Sequence, residues 1–173
     1  ISMKKEKVIK YLMIFASVLI SGTIIYFRND LVKLQGYGIL GILLISILGN
    51  ATVVIPAPVI LSAFIGGSVY NPILVGLVVA LGATIGELTG FMAGVGGRIV
   101  ITDHKHFKRI EKWMTKSGFL TIFILAAIPN PLFDLAGMCA GATNYGIKKF
   151  LLATFLGKSL KFLTIALLGS RFF

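Results

Sequence analysis

The chain carries two copies of an unusual motif, Ile55-Pro56-Ala57-Pro58 and Ile128-Pro129-Asn130-Pro131. Each copy lies inside a long apolar stretch where a helix would otherwise continue. Because proline has no backbone N–H and its ring clashes with the preceding turn, each pair should break its helix. Broken backbone survives at membrane depth only where protein buries it or a water-filled cavity meets it. The two proline pairs therefore predict two re-entrant hairpins that meet at a polar cavity, as in a transporter core.

Composition places the chain in a membrane. Of its 173 residues, 57% are hydrophobic and 13% are charged, and the mean hydropathy is +0.95, which excludes an ordinary soluble domain. The net charge of +11 does not indicate a nucleic-acid partner, because the cations cluster at the ends of apolar segments, as in membrane proteins. The sequence has no nucleophile–base pair and no cluster of metal ligands at membrane depth. We therefore expect no enzyme activity, no metal and no cofactor.

The apolar segments predict an all-α polytopic membrane protein in which a re-entrant hairpin plus a transmembrane helix occurs twice. Residues 1–35 would hold a tail, a signal-anchor helix at about 8–27 and a connector. Residues 36–173 would form the transport core. Helices of about 12 residues cannot cross a bilayer of about 30 Å. We therefore place hairpins at 36–67 and 118–143, and spanning helices at 72–97 and 146–170.

The segment between the two halves predicts an amphipathic helix. Its apolar face would consist of Phe107, Ile110, Trp113 and Met114, and lysine and arginine residues cover the other face. We expect this helix to lie in the headgroup layer, with Trp113 as an anchor. A gate or a binding site for an acidic lipid is the functional alternative.

Basic residues orient this layout. With the N-terminus in the cytoplasm, the lysines of the N-terminal tail and the cations of the amphipathic helix all fall inside, whereas Arg28, Lys33 and Arg171 fall outside. This is a strong positive-inside bias. It puts the two hairpins on opposite faces of the membrane, and we expect that membrane to be the plasma membrane of a prokaryote.

The two halves match beyond their prolines. Asn71 and Asn144 lie at the same distance after Pro58 and Pro131, small residues precede each asparagine, and a long apolar stretch follows it. We expect each asparagine to open a long helix. Hairpin plus helix, occurring twice in opposite orientations, is an inverted repeat, which gives alternating access a physical basis.

Four ionisable residues, Glu87, Asp134, Lys158 and Lys161, lie in the predicted membrane segments, and residues of this kind are candidate functional groups. Glu87 and Lys158 follow their proline pairs at nearly equal distances, which predicts an ion pair between equivalent helices. Such a pair either serves transport or only fixes the helix register. Because a carboxyl group away from water can keep its proton near neutral pH, Glu87 and Asp134 are candidate proton sites. Asn130 and the free N–H groups of the broken helices would contact an anionic headgroup.

A stripe of glycines, Gly82, Gly86, Gly90 and Gly94, recurs every four residues along one predicted span. Small residues at this spacing let a neighbouring helix approach closely. Packing is the favoured interpretation, and a smooth groove for an acyl chain is the alternative. The same face could also support a homodimer.

The segment Glu87-Leu88-Thr89-Gly90-Phe91-Met92-Ala93-Gly94 resembles the E-x-x-G-[FY]-x-x-G motif of the DedA family, also called SNARE-associated Golgi or VTT domain proteins. The stretch Phe123–Ala142 resembles that family's second motif, and the likeness extends roughly from Gly36 to Gly169. It implies two opposed re-entrant hairpins and a role in lipid translocation, of undecaprenyl phosphate in bacterial members and of phospholipids in eukaryotic ones.

One departure from the family bears on the substrate. Many members carry an arginine, expected to hold phosphate, where this chain has Leu132. The Asn130-Pro131 variant with Asp134 resembles the subgroup of the yeast Golgi member. Lys158 or Arg98 would have to replace that arginine.

The first functional hypothesis is a proton-coupled lipid flippase or scramblase, whose partners are membrane lipids and protons. The alternatives are a small-solute or ion transporter, and a non-catalytic membrane scaffold.

Overall fold

The computed structural model describes residues 36–51, 57–101, 105–130 and 132–172, and the single positions 12, 15 and 19. Side chains are described in these ranges except at 57, 97–101, 105 and 106. The predicted signal-anchor helix at about 8–27 therefore lies outside the described residues, apart from those three positions. Pro56 and Pro131 lie outside them as well.

Every regular element within the described ranges is helical, as the sequence predicts. The helices are α1 Gly38–Asn50, α2 Ala57–Val69, α3 Pro72–Gly86, α4 Leu88–Ile101, α5 Lys105–Ala127, α6 Leu132–Ala142 and α7 Ile147–Phe172.

Two helical stretches are long and apolar enough to cross a bilayer, Pro72–Gly96 and Ile147–Phe172. They match the predicted spans, and their 25 and 26 residues correspond to about 38 Å of helix. The first stretch joins α3 to α4 through a turn at Glu87. The helices α1 and α2 have 13 residues each, or about 20 Å, which is too short to cross.

The second proline pair marks a break in the helix, as predicted. Helix α5 ends at Ala127, and Pro129 and Asn130 lie in a non-helical link before α6. The Asn130 amide nitrogen donates to the carbonyls of Leu125 at 2.9 Å and Ile128 at 2.8 Å, so it satisfies carbonyl groups that the end of the helix leaves free. In the first half, Pro58 lies in the first turn of α2, where proline's missing N–H costs no helical hydrogen bond.

The amphipathic segment forms the first part of α5, and the predicted composition of its apolar face is wrong in part. Ser117 interrupts the helix with φ −156° and ψ 84°, so the segment ends just before the predicted start of the second hairpin. Phe107, Ile110 and Met114 are buried in a cluster with residues of α4, α6 and α7, so this face packs on protein. Trp113 is 40% exposed and does not share their buried face.

Only one of the two repeat asparagines opens a helix. The Asn71 side chain accepts hydrogen bonds from the backbone N–H groups of Ile73 and Leu74 at 3.0 and 3.2 Å, which caps α3. Asn144 instead ends α6 with a left-handed φ of 54°. The backbone N–H groups of Asn144 and Tyr145 bond back to α6 carbonyls in the pattern of a C-terminal cap. The prediction that Asn144 opens α7 was therefore wrong.

The helices pack in a reciprocal pattern. The long helices α3 and α7 lie against each other, α1 packs on α3, and α5 packs on α7. The short helices contact the long helix of the other half of the chain, because α2 packs on α7 and α6 packs on α4. The buried apolar residues form two clusters, one built on α4 to α7 and the other on α1, α2, α3 and α7.

Glycines make these crossings close. A Cβ added at Gly94 of α4 would strike the backbone of Met138 in α6, and one at Gly169 of α7 would strike the backbone of Phe64 in α2. The stripe glycines Gly82 and Gly86 lie in the same way against the backbone of α1. Three of the four stripe glycines thus serve packing within the chain, and a dimer through this face would have to displace α1 or α6.

Gly94→Ala should therefore destabilise the protein. The added methyl group would push α4 away from α6, at a cost of about 1–3 kcal/mol, which corresponds to a fall of several degrees in the thermal unfolding midpoint of the detergent-solubilised protein. Gly146→Ala is the matched control, because an added Cβ there meets nothing within 4 Å. Equal midpoints for the two variants would contradict the close contact between α4 and α6.

Candidate functional site

A buried ion pair joins the two halves of the chain, as the repeat spacing predicts. The Lys158 ammonium lies 2.6 Å from Glu87 Oε1, and the two residues are only 1% and 4% exposed. Glu87 occupies the turn between α3 and α4, and Lys158 lies near the middle of α7. On α7, Lys158 falls between the residues that contribute to one apolar cluster and those that contribute to the other.

Each N–H donor of the Lys158 ammonium has an acceptor within the protein. Besides Glu87, its ammonium donates to Asn50 Oδ1 at 2.7 Å and to the Ala83 carbonyl at 3.5 Å. A lysine has three N–H donors, so no donor remains for another ligand. Asn50 is the last residue of α1, and its amide nitrogen donates to the Ser46 carbonyl at 3.0 Å. Lys158 therefore ties α1 and α3 to α7.

The remaining sides of the pair face aromatic and glycine residues. The Phe133 ring of α6 lies 5.0 Å from the Lys158 nitrogen, a favourable position for a cation over an aromatic face. A Cβ added at Gly90 or Gly137 would lie 3.9 or 3.8 Å from Glu87 Oε2. Gly90, the fourth glycine of the stripe, thus leaves room beside the carboxylate and makes no close contact with a neighbouring helix.

Asp134 and Lys161 extend this pair to four charges. Asp134 lies in the first turn of α6 and interacts electrostatically with Glu87, Lys158 and Lys161. Lys161 lies about one turn after Lys158 on α7 and also contacts the Phe162 ring, 4.9 Å from its nitrogen. Both side chains are partly buried, and among the described residues neither makes a salt bridge within 4.0 Å. We call Glu87, Asp134, Lys158 and Lys161 the charge cluster.

From the sequence, Lys161 was placed in the last span but was assigned no role in the site. It stands three positions after Lys158, a spacing that puts two residues on the same helix face. That spacing was a usable signal, but the match between the two halves of the chain pointed to Lys158 alone.

The other predicted headgroup residues have different positions. Both amide hydrogens of Asn130 are used by the carbonyls at the end of α5, while its Oδ1 is buried without a hydrogen-bond partner. The free atom is therefore an acceptor, whereas a phosphate oxygen requires a donor. Arg98 belongs to α4, and its side chain lies outside the described residues. In the described part of the chain, no three His, Cys, Asp or Glu residues come together as a metal site.

A known protein family matches the part of the chain that contains the charge cluster. The family model of the VTT domain matches residues 55–171, which is more than half of the chain and includes the charge cluster. No solved structure matches the chain.

Several vacuole membrane proteins are related to part of the chain. It is 39% identical over 78 residues to vacuole membrane protein KMS1 of Arabidopsis thaliana, a match that covers 43% of this chain and 16% of that relative. It is 43% identical over 51 residues to human vacuole membrane protein 1, covering 30% of this chain and 13% of the relative. A homologue from Dictyostelium discoideum is 52% identical over 42 residues, or 24% of this chain and 10% of that relative. Each match thus spans only a small part of the relative's own length. Because the VTT domain model matches more than half of the chain, the chain belongs to the VTT domain family of membrane proteins.

Proposed function

We propose that this chain is the core of a membrane lipid transporter, a flippase or scramblase that moves an anionic lipid such as undecaprenyl phosphate or a phospholipid. The observation that carries the proposal is the charge cluster, which holds four ionisable groups between apolar helices. Charged groups at membrane depth are costly and usually mark a substrate or ion pathway. The names of the relatives give a vacuole membrane location and no activity.

The packing supports a transporter architecture of two inverted repeats. Each half would consist of a hairpin and a spanning helix, namely α1 and α2 with α3–α4, and α5 and α6 with α7. Equivalent helices of the two halves make equivalent contacts. Helix α1 packs on α3 as α5 packs on α7, and α2 packs on α7 as α6 packs on α4. The glycine contacts show the same equivalence, because Gly169 approaches Phe64 as Gly94 approaches Met138.

Within this proposal, the short helices are re-entrant hairpins that enter from opposite faces. Helices of about 20 Å would end near mid-membrane, where their free end groups need polar partners. Asn50, at the end of α1, has such a partner in Lys158. The positive-inside bias supports a cytoplasmic N-terminus. A prokaryotic plasma membrane stays a prediction, since the relatives named above are eukaryotic vacuole membrane proteins.

The charge cluster suggests separate roles for its members. Lys158 has no free donor and is therefore assigned to hold the helices together. Lys161 makes no salt bridge among the described residues and is assigned to the lipid phosphate. Asp134 is assigned to the proton, because it interacts with both lysines and with Glu87 yet makes no close ion pair in the described structure. Glu87, first predicted as a proton site, would then chiefly fix Lys158.

A small-solute or ion transporter is the second candidate, because the same cluster would suit a small anion. The two candidate functions differ in the molecule that crosses the membrane. Lipid movement without solute flux supports the lipid transporter, and solute flux without lipid movement supports the alternative.

Asp134→Asn and Lys161→Gln should impair lipid movement in proteoliposomes. We expect Lys161→Gln to slow the movement of a fluorescent anionic phospholipid or polyprenyl phosphate by about tenfold or more, since a charge-assisted hydrogen bond contributes about 1.5–3 kcal/mol. Asp134→Asn should remove the dependence of the rate on an imposed pH gradient. Lys149→Gln, which removes an equal charge at an exposed position of α7, is the control. Wild-type rates in both test variants would reject these assignments.

The Glu87–Lys158 pair should show strong coupling in a double-mutant cycle. Lys158→Met leaves Glu87 buried without its cation, and loss of one partner of a buried pair costs about 3–5 kcal/mol. Adding Glu87→Gln should restore part of that loss, because the double variant buries no charge at this position. The measurement is the thermal unfolding midpoint of each variant in detergent, with Lys148→Met as an exposed control. Simple addition of the two single effects would show that the residues do not form this pair.

A further inference from the structure

A surface groove lies where α5 is interrupted at Ser117. Its volume is about 350 Å³, within the range of sites that hold small molecules. Its walls are formed by Trp113, Leu120, Thr121 and Ile124, among other residues. No member of the charge cluster lines it, so the groove is distinct from the proposed transport site.

The groove combines an apolar lining with a single charge. Trp113, Leu120 and Ile124 are 40%, 52% and 44% exposed, which leaves their apolar surface available to a ligand. Lys116 is the one charged residue of the lining. An elongated apolar group therefore fits along the walls, and an anion fits beside Lys116.

The surface on the N-terminal side of the groove favours an anion further. Lys108, Arg109 and Lys112 are exposed on the same helix as Lys116. The Arg109 guanidinium lies 5.6 Å from the centre of the Trp113 ring, so the basic surface reaches the wall of the groove. Each basic residue near a membrane surface contributes about 1 kcal/mol to the attraction of anionic lipid.

We propose that this groove binds an anionic phospholipid, with an acyl chain against Trp113, Leu120 and Ile124 and the phosphate beside Lys116. The interruption at Ser117 creates the site, because it separates the basic part of α5 from the apolar part that begins at Gly118. The proposal depends on the membrane location of the chain and not on the transport activity proposed above. A failure of lipid transport would leave it intact.

Trp113 provides a direct test, because it is the single tryptophan of the chain. Its fluorescence would be measured in detergent micelles with increasing amounts of phospholipid carrying brominated acyl chains, which quench tryptophan on contact. The probes are brominated phosphatidylglycerol and brominated phosphatidylcholine. We expect the anionic probe to quench at a severalfold lower mole fraction than the zwitterionic one, and added salt to reduce this preference.

Two variants separate the headgroup contact from the acyl contact. Lys116→Gln should weaken the preference for the anionic probe about fivefold, whereas Lys148→Gln, an exposed lysine outside the groove, should leave it unchanged. Thr121→Phe should fill the groove and reduce quenching by both probes. Equal quenching by the two probes in the wild type would overturn the proposal in favour of unselective lipid contact. Absence of quenching by either probe would also overturn it and would indicate that another protein surface covers this face.

Discussion

The position of the Lys158 ammonium is the constraint on which the rest of the architecture depends. A buried cation needs an acceptor for each of its three N–H donors. Glu87, Asn50 and the Ala83 carbonyl supply them, and these acceptors come from the end of α1, the body of α3 and the turn that follows α3. Helix α1 and the two long helical stretches are thus arranged so that each donor of this lysine has an acceptor.

The ends of the broken helices lie beside polar and charged side chains, which interact with the backbone groups that the helix ends leave unpaired. A helix that ends in an apolar environment leaves carbonyl or N–H groups without partners. Here Asn130 bonds to the carbonyls at the end of α5. Asp134 lies in the first turn of α6, where a negative charge interacts favourably with the helix dipole. Gly86 lies against the backbone at the end of α1, and this close approach puts Asn50 within reach of Lys158.

Sequence predicted the features that follow from chain length and from proline chemistry. These include the short helices and both long stretches, and the matched spacing of the two halves predicted the ion pair between Glu87 and Lys158. The interruption at Ser117 was not predicted, although the second hairpin was expected to begin at residue 118. Features decided by tertiary packing were not predictable. The orientation of Trp113 depends on how far α5 rotates against the second half of the chain. Asn144 adopts a left-handed conformation at the end of α6, which asparagine tolerates, and so it does not cap the next helix.

The charge cluster also gives proton coupling a direction within the proposed mechanism. Asp134 and an incoming phosphate are both anions, and both would interact with Lys161. An ionised Asp134 repels the phosphate and competes with it for this lysine, whereas a protonated Asp134 does neither. Phosphate binding and protonation of Asp134 therefore favour each other, and this relation is reciprocal by thermodynamic linkage. If lipid phosphate binds in this cluster, proton and lipid would travel in the same direction across the membrane, while the saturated Lys158 keeps the surrounding helices in place.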